Sequence, residues 1–468
     1  MKTRRIIFSV ILVLILSLAS FGVAAWLRAP RLLEVTPAAG SSGVAPYTPL
    51  RLAFSAPMQP ATVSSRVKIE PMRNGSFSWD GNTLVFTPTQ PWPSGAAVTV
   101  QVQAGMRASQ TLSLPMQQDQ TWSFTTTQTL LTYLWPSTSA ADLYALDPIT
   151  GDVKRLTTTQ NILDYAISAD GLWLFYSVQL PGNSTALWRQ KHWEAGQTSQ
   201  APPAPEMILE CPQAACRSPQ PSPDGQRLSY ERTPLDEQGQ PGVTAVWLLN
   251  LNDLSSQPVS QRSSTTLHAS WSAAGWLAYY ENEQQRFVIQ ETSGKEIAFL
   301  ALRSSEAAAW SPDGKSLAAA ELGTEITGSL GTFSPSRLWS YDLTQLDSSG
   351  KAPATDLTKT NEIEDGSPVY SPDGAWMAFA RRYLDSARWT PGKQLWLMRP
   401  DGSEAHPLTQ AGDYNHHDFA WSLDGKQIAY IRFNQTILTE PAELWLINAD
   451  GSQPLELVKG AYAPQWMP

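Results

Sequence analysis

The 468-residue chain is acidic, with 33 Lys and Arg against 42 Asp and Glu for a net charge of −9. That balance argues against a nucleic-acid partner, which needs a basic face. Hydrophobic residues at 42% allow a sizeable core, while the 16% of charged residues falls below the ~25% of ordinary soluble domains.

The N-terminus reads Met1-Lys2-Thr3-Arg4-Arg5, followed by an apolar run from Ile6 to Leu27 broken by Ser9, Ser17, Ser20 and Gly22. A basic head before an apolar stretch is an export signal whose basic end stays in the cytoplasm. The run is long enough to span a bilayer, yet Val23-Ala24-Ala25 also reads as a cleavage site. Residues 1–28 are therefore expected to be a signal-anchor helix or a removed signal peptide. The first places the domains outside the cell membrane on a single-pass anchor. The second leaves a secreted or periplasmic protein.

Residues 31–128 show short alternating strands between Pro and Gly turns, such as Leu50-Arg51-Leu52-Ala53-Phe54 and Val98-Thr99-Val100-Gln101-Val102. No helical period appears, and about seven such strands suggest a β-sandwich. The motifs Thr36-Pro37-Ala38-Ala39-Gly40, Phe54-Ser55-Ala56-Pro57-Met58, Phe86-Thr87-Pro88 and Phe124-Thr125-Thr126 resemble the bacterial Ig-like domains of S-layer and other envelope proteins. Such domains are spacers or presentation modules.

From residue 129 to 468 a turn recurs. It stands at Ser168-Ala169-Asp170-Gly171, Ser222-Pro223-Asp224-Gly225, Ser272-Ala273-Ala274-Gly275, Ser311-Pro312-Asp313-Gly314, Ser371-Pro372-Asp373-Gly374 and Ser422-Leu423-Asp424-Gly425. Aspartate bonds its own backbone there and glycine takes the left-handed conformation that follows. The 39- to 60-residue spacing of these glycines suggests a propeller. An aromatic position follows in each copy, at Trp188, Trp247, Phe287, Trp339, Trp396 and Trp445, with Tyr144 as an earlier member. The pattern around Trp310-Ser311-Pro312-Asp313-Gly314-Lys315 resembles the TolB-type, WD-repeat-like β-propeller. TolB proteins carry a different N-terminal domain, so the resemblance implies a fold and no partner.

Residues 130–157 supply three strands without a first, and residues 461–467 supply a first strand without the other three. Together they are expected to complete one blade and close a seven-bladed ring. Six blades is the fallback, because the Ser272 copy is short. The fold class is thus all-β: an N-terminal anchor or signal, an Ig-like sandwich and a propeller.

Strand alternation puts the Asp-Gly turns at one end of the ring. Long insertions fall at the other: Glu231–Ala245, Glu321–Arg337, Arg381–Lys393, Phe433–Glu443 and a between-blade loop Gly196–Pro219. Long loops on a rigid frame are where binding resides, so the loop end is expected to be functional. Its candidate partner-binding residues are Arg388 and Trp389, in an insertion, and His416 and His417, assigned to a between-blade loop. Cys211 and Cys216 are the only cysteines. In an exported chain the expectation is a disulfide, with two unpaired thiols as the alternative.

Other signals have plainer readings. Nine tryptophans in the repeated strands read as core, and the turn aspartates as turn formers. His416-His417-Asp418 lacks the three or four converging ligands of a metal site. No Gly-x-Ser-x-Gly elbow or phosphate loop occurs, so no catalytic residue, metal or cofactor is assigned. The expectation is an envelope binding or scaffold module for a protein, peptide or glycan, attached to the membrane by its N-terminal helix. The alternative is an extracytoplasmic propeller enzyme, a polysaccharide lyase or hydrolase with its site at the channel mouth.

Overall fold

The computed structural model describes residues 29–44, 48–89, 92–109, 115–126, 129–159, 161–191, 204–260, 264–328 and 331–467. The expected leader at residues 1–28 lies outside them. Among the described residues no helix is long and apolar enough to cross a membrane. The chain divides into two compact units, Met1–Gln128 with Glu194–Thr198, and Thr129–Trp193 with Ser199–Pro468.

The first unit holds a four-stranded sheet in the order Leu32–Thr36, Leu50–Phe54, Thr83–Pro88, Gly75–Asp80, and a three-stranded sheet of Val67–Glu70, Ala97–Val102 and Gln120–Thr125. Side chains alternate across a strand, so Leu50, Leu52 and Phe54 point inward with Val98, Val100 and Val102. Trp92 joins that core edge-on to Phe124 at 5.7 Å, and its indole N–H donates to the Thr48 carbonyl at 2.9 Å.

The second unit contains seven four-stranded antiparallel sheets among its described residues. In chain order after the first sheet, their inner strands are Ile162–Ile167, Ala214–Pro221, Thr266–Trp271, Ala309–Trp310, Ile363–Tyr370 and Tyr414–Trp421. The first sheet takes Tyr462–Met467 as its inner strand, beside Leu130–Trp135, Asp142–Leu146 and Val153–Arg155. Trp466 pairs with Leu131 and Gln465 with Thr132, so the two ends of the unit share one sheet. Apolar clusters lie between successive sheets. A further cluster joins Leu131 and Tyr133 of the first sheet to Ala429 and Ile431 of the seventh. The sheets therefore form a closed ring, the architecture of a β-propeller. The short Ser272 copy builds a complete sheet, the fourth, from Thr266–Trp271, Leu277–Glu281, Arg286–Gln290 and Glu296–Ala301.

Three repeated contacts explain why this sequence forms this ring. At the turns, the serine hydroxyl donates to the aspartate, as in Ser311 to Asp313 at 2.7 Å and Ser371 to Asp373 at 2.6 Å. The glycines sit at positive φ, +68° at Gly314 and +70° at Gly374. Within sheets, second-strand aromatics face the third-strand series: Tyr176 opposite Trp188, Tyr230 opposite Trp247, Phe379 opposite Trp396 and Tyr430 opposite Trp445. Each such pair adds about 0.2–1 kcal/mol. Between sheets, a tryptophan of the inner strand donates its indole N–H to an inner-strand carbonyl of the preceding sheet. Trp271 reaches Gln220 at 3.0 Å, Trp421 reaches Val369 at 3.2 Å and Trp466 reaches Ala420 at 3.0 Å. These tryptophans are more than core filler, since they stitch neighbouring sheets together.

One assignment is corrected. Of Gly196–Pro219, residues 196–203 lie outside the described residues, and the described remainder is not one between-blade loop. Glu206–Cys211 is the outer strand of the second sheet and Ala214–Pro221 the inner strand of the third. The link is only Pro212 and Gln213, with Gln213 at φ +51°. Prolines at 202, 203, 205 and 212 disguise the strand between them. A disulfide joins Cys211 to Cys216 across this link, and both cysteines are buried.

Candidate binding face

Connections between second and third strands gather at the loop end of the ring. In the sixth sheet this connection spans residues 384–393, between Met377–Tyr383 and Gln394–Met398. Asp385 organises it: its carbonyl accepts the Trp389 N–H at 2.9 Å, and its carboxylate takes the Arg388 guanidinium at 2.7 Å. Arg388 also lies over the Tyr383 ring, 3.9 Å from its centroid. Its hydrogen bond to Asp385 holds that carboxyl below the usual carboxylate range. The adjacent Trp389 is left 41% exposed.

The same end carries further apolar side chains that the sequence reading did not single out. Ile437 and Leu438 of the seventh sheet are 48% and 77% exposed, and Val243 of the third is 55% exposed. Trp135 and Leu322 end the second strands of the first and fifth sheets and are also exposed. Their signal in the sequence is faint, an apolar residue inside a polar insertion, as in Asn434-Gln435-Thr436-Ile437-Leu438-Thr439.

Charged groups near this end are paired with one another. Glu364 receives Arg382 at 2.5 Å and Lys393 at 3.2 Å. Burial alone would raise its pKa, but the two cations outweigh burial and hold it below the usual range. Glu443 is bound by Arg432 at 2.8 Å and by the Trp445 indole at 2.8 Å, again with a net downward shift against burial. Asp365 is fully buried and grips Arg381 through two 2.7 Å hydrogen bonds. Buried ions need such partners.

His416 and His417 are not in a between-blade loop, as their polarity suggested. Both lie in the inner strand Tyr414–Trp421 of the seventh sheet, where strand alternation sends them to opposite sides. His416 is 1% exposed. Its Nδ1–H donates to the Lys393 carbonyl at 2.9 Å, while Nε2 is buried without a hydrogen-bond partner. Burial pushes its pKa down to about 4, against the Lys393 hydrogen bond, so the ring is neutral at physiological pH. His417 is half-buried, with Nδ1 3.1 Å from Asp418. The structure therefore brings Arg388 and Trp389 together in one turn and separates His416 from solvent. Among the described residues no group of three or more His, Cys, Asp and Glu converges as a metal site.

An all-β protein joining an Ig-like sandwich to a propeller is the class this architecture defines. Residues 28–126 match the family model of the bacterial Ig-like domain. No curated protein matches the chain. Among solved structures the chain is similar to TolB from Acinetobacter baumannii, at 14% identity over 86% of this chain and 83% of that one, with a TM-score of 0.42. It is also similar to a puromycin-hydrolysing peptidase of Mycobacterium tuberculosis, at 13% identity, 89% and 57% coverage and a TM-score of 0.47. A third likeness is to an oligogalacturonate lyase in complex with manganese, at 15% identity, 64% and 73% coverage and a TM-score of 0.40.

Proposed function

We propose that the chain is an exported envelope protein in which the Ig-like domain is a spacer and the ring, a seven-bladed propeller, is a binding module. Residues 1–28 link it to the membrane as an anchor, or export it and are removed. The loop end docks a protein, peptide or glycan. The observation that carries this reading is the set of exposed apolar side chains on connections of different sheets, Trp389, Ile437, Leu438 and Val243. Aromatic and apolar side chains at the centre of a contact dominate binding energy. The nearby ion pairs satisfy each other and leave recognition to those tips.

The test is capture from the native envelope with the full chain and with a Trp389→Ala/Leu438→Ser variant. The expected result is a specific partner retained by the natural chain and by Gly225→Ala, a turn-end control, and lost from the double variant. A partner held equally by the double variant refutes the assignment. Arg388 belongs to the same surface, and half-buried His417 of the inner strand is assigned to it as well.

A further inference from the structure

A cleft of about 640 Å³ opens at the turn end, between the fifth and sixth sheets. It exists because of one position. In each of six sheets a residue just after the turn donates its backbone N–H to the turn serine hydroxyl: Trp173, Arg227, Trp276, Ser316, Trp376 and Gln427. Trp173, Trp276 and Trp376 pack toward the next sheet. Ser316 is the smallest of the six, and the space a large side chain would fill stays open. Ser340 and Thr355 on neighbouring strands are small as well, so the wall recedes along the fifth sheet.

The floor is apolar. Leu357 and Tyr370 are 3% and 9% exposed, and Pro312 and Pro400 edge the opening. The rim carries Asp313, Asp342, Asp373 and Asp401. All four are fixed by their own turns through Oδ1: Asp313 by Ser311 and the Lys315 N–H, Asp342 by the Thr344 N–H and hydroxyl, Asp373 by Ser371 and the Ala375 N–H, and Asp401 by the Ser403 N–H. The lysines at the edge are loosely engaged. Lys315 Nζ stands 3.8 Å from Asp313, and exposed Lys359 reaches only the Asp401 backbone carbonyl at 3.4 Å. Turn aspartates recur at Asp170, Asp224 and Asp424, so carboxylates alone mark nothing here. The space beside Ser316, with its buried apolar floor, sets this position apart.

We propose that this cleft is a second binding site, one that takes a lysine or arginine side chain of a partner's extended segment. The aliphatic stem lies on Leu357 and Tyr370, and the charged head meets Asp313, Asp373 and Asp401. A long basic side chain suits such a place because its methylenes prefer apolar surface while its head stays polar. The site faces away from the loop end, so it stands or falls independently of the function proposed above.

The test is calorimetric titration of the full chain with a hexa-arginine peptide at low ionic strength, where charge attraction is least screened. Ser316→Trp restores the bulk that sister sheets carry, and Asp373→Asn/Asp401→Asn removes rim charge without adding volume. Each is expected to weaken binding at least tenfold, with a cooperative thermal transition confirming that the variant is folded. Asp424→Asn, a turn aspartate of the seventh sheet, is expected to change it less than twofold. Should Ser316→Trp fail to fold, the double asparagine variant decides alone. Undiminished binding in that variant, or an equal loss in Asp424→Asn, overturns the proposal.

Discussion

At the turn end of the ring, one serine–aspartate hydrogen bond recurs in five sheets at 2.5–2.8 Å. At the loop end the connections share neither length nor chemistry: a hairpin of Ile326–Gly328 and Gly331–Phe333 in the fifth sheet, an aspartate-centred turn in the sixth, an apolar tip in the seventh. Repetition at one end keeps the frame constant. Variety at the other gives each sheet a different surface to present. Residues at the turn end should therefore act through stability, and residues at the loop end through binding. The cleft beside Ser316 is the exception, created where one sheet departs from the repeat.

The largest test of this contrast removes the frame itself. Deleting residues 461–468 takes away the inner strand of the first sheet, buried Met467 and the Trp466 indole bond. The loss of that side chain and of several ladder hydrogen bonds should cost about 5 kcal/mol, read as a collapse of the thermal transition. An unchanged melting temperature would break the closed-ring account.

A pH effect follows from His416. Its pKa is about 4 in the fold and 6.5 when unfolded, so the unfolded chain binds the extra proton. Its stabilising contribution is complete above pH 6.5 and is lost as pH falls through 6.5 toward 4, by about 3 kcal/mol in all. Denaturation between pH 7 and 4 checks this, and His416→Gln should flatten the slope.

Gly225→Ala should cost about 1–2 kcal/mol. Gly225 sits at φ +65°, and an added Cβ would meet nothing within 4 Å, so the cost is backbone strain alone. Partner capture should be unaffected, and a loss of capture would blur the division between the two ends. The smallest stability change belongs to Trp389→Ala, within about 0.5 kcal/mol for an exposed site, together with partner binding weakened at least tenfold. A melting shift as large as that of Gly225→Ala would recast Trp389 as structural.

Much of this frame was legible because it is written locally. Ser-Pro-Asp-Gly specifies its turn within four residues, and an aromatic near the middle of each third strand meets a partner one strand away. The outer strands were harder to see. Val153–Arg155 is wholly exposed and Ser256–Pro258 nearly so, so pairing with the third strand makes them strands and no apolar pattern announces them. Glu206–Cys211 was hidden differently, by the prolines that flank it, although Ile208 and Cys211 are buried. His416 and His417 looked like loop because a polar pair is unusual in a buried strand. Here His416 offers the Lys393 carbonyl a ring N–H on one side of the inner strand, while His417 packs edge-on against Phe433 beside Asp418 on the other. The Ser316 cleft shows only when the residue after each turn is compared across the six copies and set against Leu357 and Tyr370. Trp389 was legible as an exposed aromatic. Its companions Ile437 and Leu438 were not, because nothing local distinguishes an apolar tip from a core residue.

The pairing of Tyr462–Met467 with Leu130–Trp135 has a consequence for how the molecule is made. The Thr132 hydroxyl donates to the Gln465 carbonyl across 333 positions of sequence. Bringing segments so far apart together costs roughly 5 kcal/mol of chain entropy, and slow, late closure is the rule for such non-local pairings. While synthesis proceeds, the strand Leu130–Trp135 waits with one unpaired side, open to the equivalent segment of another molecule. Crowded nascent chains thus have a ready route to strand exchange at this one sheet, and the pairing of Tyr462–Met467 decides whether a ring closes on itself or on its neighbour.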